Sequence, residues 1–353
     1  MLESKNIWKY AALIAVLGVA SYYGDKLKKY FNLTEGDTDK EHELIKKYLL
    51  NDSPLYGFNK PKIWIHTKYE INARKWRDFY SRNTYDLNQP YIHLTIKSIV
   101  NHCSKDFHIC LIDDDTFRKL LPTWDIDLCS IAEPLKSQYR QLGIAQLIYY
   151  YGGLTVPNSF LCKRNLFELY EEGTQGNKPF VCENVNRTLN LQHQINGNKM
   201  LFIPDTFFMG AKKNDPVLLE YIDYLKTRAS TGHISNEPEF LGDTSIGCVG
   251  SINLGKMNLI GGEYIGVKTT KRKPILIEDL LEDNYLDVNP KTYGIYIPQD
   301  EILKRPKYQW FAVLSTEELL KSDLFIAKHI KASIVDAVDE YYGNTEIRTT
   351  ISI

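Results

Sequence analysis

Three aspartates in a row, Asp113, Asp114 and Asp115, close the run "FHICLIDDD". Asp113 and Asp115 flank a single residue, so both carboxylates can turn to one hard divalent cation of the kind that takes oxygen ligands. The same residues stand just before "TFRKLL", where an aspartate serves equally well as a helix cap. Asp243 lies in "EFLGDTSIGCVGS", a Gly/Ser-rich stretch that reads as a loop able to offer backbone N–H groups to an anion. Ordinary loop chemistry also accounts for such glycines. "RKWRDFYSRN" sets Arg74, Arg77 and Arg82 among aromatic residues. Guanidinium groups suit phosphate oxygens, and the cluster also reads as a solvated helix face. Trp310 and Phe311 in "KYQWF" offer ring faces to a ligand or pack against the body. The sequence contains no G-x-S-x-G elbow, no P-loop, no H-E-x-x-H and no G-x-G-x-x-G, so the commonest nucleophile and phosphate-loop chemistries are excluded.

The elements that must position these residues follow from periodicity. "PKIWIH", Pro61 to His66, is a β-rich run and predicts a strand. "PYIHLTIKSIVNHC" has Pro90 in the first turn and Ile92, Ile96, Ile99 and Val100 at helical spacing. "FHICLI" predicts a second strand. Strand, helix, strand at this spacing is a βαβ unit, which implies a parallel sheet covered by helices. "LKSQYRQLGIAQLIYYY" predicts a helix ended by Gly152 and Gly153. "LTVPNSFLC" then reads as a short strand interrupted by Pro157. "PFVCEN", "MLFIP" and "TFFMGAK" predict further strands. "NDPVLLEYIDYLKTRA" predicts a helix capped by Asn214 or Asp215. The region from Glu237 to Leu286 reads as Gly-rich and irregular, and "SDLFIAKHIKASIVDAVDEYYG" as a closing helix. Without internal repeats, the body reads as one mixed α/β domain over residues 60–345.

The balance of 43 basic and 44 acidic side chains gives a net charge of −1, which excludes a sequence-independent grip on nucleic acid. Six cysteines without CxxC spacing read as small buried hydrophobes rather than a zinc site. Their even number permits disulfides in an oxidising compartment without assigning pairs. "YAALIAVLGVASYYG", Tyr10 to Gly24, is uncharged and lies between lysines. As a helix it spans about 22 Å at 1.5 Å per residue, which residues 7–24 and snorkelling lysines extend toward the membrane core. Residues 1–30 therefore read as a membrane anchor, with a cleaved signal peptide and a buried helix as the alternatives. Residues 31–59 read as a polar stem. An anchored body on the lumenal or extracellular side, or a body secreted after cleavage, would expose the N-x-S/T triplets at Asn32, Asn51 and Asn186.

Taken in order, "KPKIWIH", the βαβ unit ending in "IDDD", the helix running into "YYYGG" and the later "DTFFMGAKKNDPVLLEYI" resemble the sugar-binding region with the DXD motif of glycosyltransferase family 32 and its capsular-polysaccharide-synthesis relatives. The resemblance spans Lys60 to Leu225. It implies a GT-A-like, Rossmann-type mixed sheet flanked by helices, with a nucleotide-sugar at the carboxyl ends of the strands. That is where open parallel sheets bind ligands in general. It implies a nucleotide-sugar donor, a glycan or protein acceptor, and transfer of the sugar between them.

In that family the strand after the two glycines runs to Asp-x-Asp, which holds Mn²⁺ or Mg²⁺ against the departing diphosphate. Here those positions are Pro157, Asn158 and Ser159. The family's preceding Asp and Arg fall on Gln141 and Ile144, with Arg140 one turn away as a substitute cation. The resemblance places His66 and Thr67 at the base and ribose. Substrate contacts are thus expected from His66, Thr67, Arg74, Arg140, Gly152, Gly153, Asn158 and Ser159. Asp243, Asp113 and Asp115 are the candidate catalytic carboxylates, and Asp113 and Asp115 the candidate metal ligands. Two functions remain: a membrane-anchored transferase, or a catalytically inactive GT-A-like protein with a binding or structural role at a membrane.

Overall fold

The computed structural model describes residues 60–67, 89–122, 124–133, 135–186, 201–231 and 237–342. All of them belong to one compact unit, Pro54–Ile353. The anchor, the stem and the Arg74 cluster lie outside the described residues.

The first strand, β1 (Lys62–His66), is buried on both faces, as its unbroken β-rich run requires of a central strand. Helix α1 (Tyr91–Cys103) leads to β2 (His108–Ile112), which pairs parallel with β1. Helix α2 (Asp114–Leu120) and helix α3 (Leu135–Tyr151) then carry the chain across to β3 (Gly153–Thr155), parallel to β1 on its other side. Pro157 ends that strand. The chain turns through Phe160 N–H to Pro157 O at 3.0 Å and re-forms as β4 (Phe160–Cys162) in a separate two-stranded sheet. The single interrupted strand expected from "LTVPNSFLC" is therefore two strands in two sheets.

After helix α4 (Phe167–Gly173) come β5 (Phe180–Val185) and β6 (Phe202–Ala211). The runs "MLFIP" and "TFFMGAK" are one continuous strand, because Pro204 sits near its start and interrupts few ladder bonds. Helix α5 (Pro216–Thr231) is capped by Asp215, whose Oδ1 accepts from Val217 N and Leu218 N at 2.9 and 3.0 Å. Helix α6 (Glu237–Asn253) takes the first part of the region expected to be irregular from its glycines, and the rest, to Leu286, is mostly turns and loops. Its glycines pack rather than turn: a Cβ on Gly247 would meet the Tyr224 ring at 2.6 Å. Strand β7 (Asn258–Ile260) completes the main sheet, whose order is β2-β1-β3-β6-β5-β7. β6 runs against its five companions.

One face of this sheet packs Trp64, Cys110, Ile112, Val181 and Met209 against α2, α3 and α5, with Phe117 and Leu147 fully buried between. Burying each such side chain contributes about 1.5–3 kcal/mol. A second core joins α1 and β4 to β8 (Gly294–Tyr296) and to the short helices α7 (Ile277–Leu280), α8 (Gln299–Lys304), α9 (Gln309–Ala312) and α10 (Thr316–Lys321). The long α11 (Phe325–Tyr342) closes it. Phe311 lies in this core, whereas Trp310 beside it is exposed. Among the described residues no helix is long and apolar enough to cross a membrane.

Candidate functional site at the carboxyl edge of the sheet

The chain leaves β1 toward β2 on one side and returns to β3 on the other. The carboxyl ends of β1 and β3 therefore flank the point where an open α/β sheet receives a ligand. His66 ends β1, Asp113 follows β2, and the Pro157–Ser159 turn follows β3. β6 runs the opposite way, so its first residues, Phe202 to Thr206, reach the same edge. So do the first turns of α3, with Arg140 and Gln141.

Side chains from three elements meet there. Arg140 donates from Nε to Asp114 Oδ1 and from Nη2 to Asp114 Oδ2, both at 2.7 Å. Its Nη1 donates to Glu133 Oε1 at 2.9 Å. His66 Nε2 donates to Asp114 Oδ1 at 3.0 Å, and the His66 ring stacks on Phe117 at 5.8 Å. Burial works to raise the Asp114 pKa, but the hydrogen bonds from Arg140 and then His66 outweigh it. The carboxyl is held well below the usual carboxylate range. The charge of Arg140 is thus spent on Asp114 and Glu133, so it does not supply the free cation expected at the substituted position. Thr67 turns inward as well, its Oγ1 donating to Ile112 O at 3.2 Å.

Asp113 takes the capping role. Its Oδ1 accepts from Thr116 N at 2.9 Å and Thr116 Oγ1 at 2.6 Å, and Thr116 Oγ1 accepts in turn from Asp113 N. Asp115 is exposed on the first turn of α2. Asp114, the residue between the two candidate ligands, is the one that points into the site. Its separation from His66 by 48 positions and from Arg140 by 26 left no local spacing to read. Only the shared edge of the sheet, reached by the ends of β1 and β2 and the start of α3, could have linked them. Asp243 is in the interior of α6 rather than in a loop, so its backbone belongs to the helix and offers no anion cradle. Gly152 and Gly153 lie at the opposite, amino edge of the sheet. They take φ of 71° and 100° because a Cβ on Gly153 would stand 2.1 Å from Lys62 O, in the close approach of β3 to β1. Their work is in the backbone turn, away from the carboxyl edge. Arg74 lies outside the described residues.

At the turn after β3 the polar groups are buried and incomplete. Asn158 is 6% exposed and Ser159 is fully buried. The turn is fixed by Thr95 Oγ1 donating to Asn158 O at 2.5 Å and by Ile297 N donating to Ser159 O at 3.1 Å. Yet Asn158 Oδ1 and Ser159 Oγ have no hydrogen-bond partner, and neither has Gln141 Oε1. Gln141 makes only a long 3.4 Å donation from Nε2 to Thr206 O on β6. A buried acceptor left unpaired costs about 1–3 kcal/mol, and it persists where a ligand or water completes it.

A divalent cation does not fit this donor set. The turn offers neutral oxygens, Asp113 is committed to its cap, and Asp114 is neutralised by Arg140. Among the described residues no three His, Cys, Asp or Glu side chains converge to hold a metal ion.

No protein-family model matches the chain, and no curated protein does. Among solved structures, one titled PaToxG Glycosyltransferase is similar over 60% of this chain and 79% of its own, at 12% identity and a TM-score of 0.32.

Proposed function

We propose that the chain is a glycosyltransferase-like protein, built on a GT-A-type sheet, that holds a nucleotide-sugar at the carboxyl ends of β1 and β3 without a carboxylate-bound metal. The observation that carries this reading is the set of three buried acceptors without donors, Gln141 Oε1, Asn158 Oδ1 and Ser159 Oγ. They stand at or between the positions where the resemblance expects charged residues. A donor sugar or ribose hydroxyl is a hydrogen-bond donor and would complete them. The apolar run at residues 7–24 supports tethering the body to a membrane, with a glycan or protein as acceptor.

A second reading, binding without transfer, is favoured by Arg140. Transfer needs positive charge at the leaving diphosphate, and Arg140 is already paired with two carboxylates. The two readings separate in one experiment on the full chain. UDP- and GDP-sugars are titrated calorimetrically with and without Mn²⁺, followed by an assay for released nucleoside diphosphate. Metal-independent binding that Asn158→Ala abolishes supports the site, and diphosphate release then decides for transfer. Absence of binding to every nucleotide-sugar sinks both readings. Binding that requires Mn²⁺ sinks the metal-free site.

A further inference from the structure

The opposite edge of the sheet carries a concentration of positive charge that the proposed function does not use. Lys62 begins β1 and shares a face with Trp64, which belongs to the buried core. Lys62 itself is only 6% exposed. Among the described residues its ammonium has neither a carboxylate nor a hydrogen-bond acceptor. Its charged neighbours are lysines, and burial first, then Lys62 and Lys60, lower the pKa of the His108 beside it. His108 is its register partner on β2, and Lys60 and Lys213 lie close enough for their charges to act on this pair. The Lys62 stem is held in the sheet core while its ammonium reaches the solvent at the amino edge, beside the other lysines.

On the same face is an open cavity of about 440 Å³, lined by Lys119, Leu120, Leu121, Tyr150, Tyr151 and Lys213 among others. Tyr151 packs on Trp64 at 5.9 Å between ring centroids, which sets the cavity beside the Lys62 side of the strand. Tyr151 Oη is occupied, donating to Leu120 O at 2.6 Å. Lys119 and Lys213 are exposed, and among the described residues neither has an acidic partner. The space is shallow and open to solvent, so charge rather than enclosure would hold a ligand there.

We infer that this amino-edge cavity binds a phosphate-bearing ligand, with Lys119 and Lys213 at its mouth, Lys62 behind them and the two tyrosines offering ring faces. Phosphate is the chemistry that fits. A single carboxylate would leave most of the charge uncompensated, whereas a phosphate group carries about −1.5 to −2 at neutral pH and several acceptor oxygens. Lysine ammonium groups are established point-charge partners for it. The lowered pKa of Lys62, caused first by burial and also by Lys213, agrees with a cation that lacks its counter-ion.

The test is calorimetric titration of the full chain with inorganic pyrophosphate. The protein as it stands is compared with the exposed double variant Lys119→Ala/Lys213→Ala and with Asn158→Ala at the other edge. Pyrophosphate should bind the parent and Asn158→Ala alike, and the double variant should lose about tenfold or more in affinity. Cosedimentation with phosphatidylcholine vesicles, with and without phosphatidic acid, identifies the source of the phosphate. Extra binding to the acidic vesicles that the double variant loses assigns a lipid headgroup. Equal vesicle binding in both proteins assigns a free phosphate compound. No pyrophosphate binding, or binding unchanged in the double variant, overturns the inference. Loss in Asn158→Ala alone would return the phosphate to the carboxyl-edge site and overturn it equally.

Discussion

Arg140 grips Asp114 at two points, Nε on one carboxylate oxygen and Nη2 on the other, each at 2.7 Å. The pair joins α3 to the first turn of α2, and His66 ties both to the end of β1. Asp114→Asn keeps the shape but removes the charge that Arg140 and His66 address. It should destabilise the protein at pH 7 by about 2–3 kcal/mol. The pH dependence has a definite sign. The folded carboxyl is held below its unfolded value of 3.8, so its contribution is complete above that value. It is lost as the pH falls below it toward the folded pKa. Urea melts between pH 7 and pH 2 should show the parent losing its advantage over Asp114→Asn below about pH 4. A constant gap across that range would mean that Asp114 is not ionised in the pair.

Asn158→Ala separates a structural polar group from one kept for a ligand. The Oδ1 atom makes no bond in the folded chain, so its removal should leave stability within about 1 kcal/mol of the parent or raise it. Binding of any nucleotide-sugar should fall at least about tenfold. A loss of more than about 3 kcal/mol in the melt would show that Asn158 is structural.

The strands and helices around this site were readable because each has its own period. Lys62 to His66 alternates within a buried run, and Leu135 to Tyr151 ends at the two glycines as its pattern required. The charged cluster was not readable. His66, Asp114 and Arg140 come from three elements, and only the sheet order β2-β1-β3 brings them to one edge. Asp113 and Asp115 drew attention by their spacing, yet a capping box made with Thr116 uses the first and leaves the second in solvent. The α6 glycines misled for a related reason. In sequence they look like turn residues, and in the fold Gly247 is small because Tyr224 lies against it. Lys62 was legible in principle, since the period of two puts it on the face of Trp64.

Gly153→Ala tests the turn that delivers β3. Its φ of 100° is unfavourable for any side chain, and its Cβ would meet the Lys62 carbonyl oxygen at 2.1 Å. The cost should exceed about 3 kcal/mol. Gly255→Ala is the control, because φ there is 66° with open space around the new methyl. It should cost about 1 kcal/mol. Similar urea midpoints for the two variants would show that β3 can move away from β1.

Thiol titration reports the packing of the second core and of the sheet. Cys129 is exposed and the other five cysteines are buried. Burial pushes the thiols of Cys110 and Cys248 up to about 12, which keeps them protonated and unreactive. At pH 8 an aromatic disulfide reagent should find one fast thiol in the native protein, and six in the unfolded protein without reductant. Four in the unfolded state would mean that Cys103 and Cys162, whose sulfurs stand 3.8 Å apart, have been oxidised to a bridge.

Lys62→Met exchanges a lysine whose stem is buried for an apolar side chain of similar length, at the end of the sheet remote from Asp114. Burial, with Lys213 adding to it, lowers the Lys62 pKa in the folded chain below its ordinary 10.5. The unfolded chain therefore holds more protons between those two values, and the cost of Lys62 fades as the pH climbs through them. The variant should be more stable than the parent at pH 7 by about 1 kcal/mol. The gap should close as the pH approaches 10.5. Pyrophosphate at pH 7 should narrow it too, because an anion beside Lys62 gives more stability to the protein that carries the charge. A variant less stable than the parent at pH 7, or a gap indifferent to both pH and pyrophosphate, would show that the ammonium is already compensated and that the amino edge has no unmet positive charge.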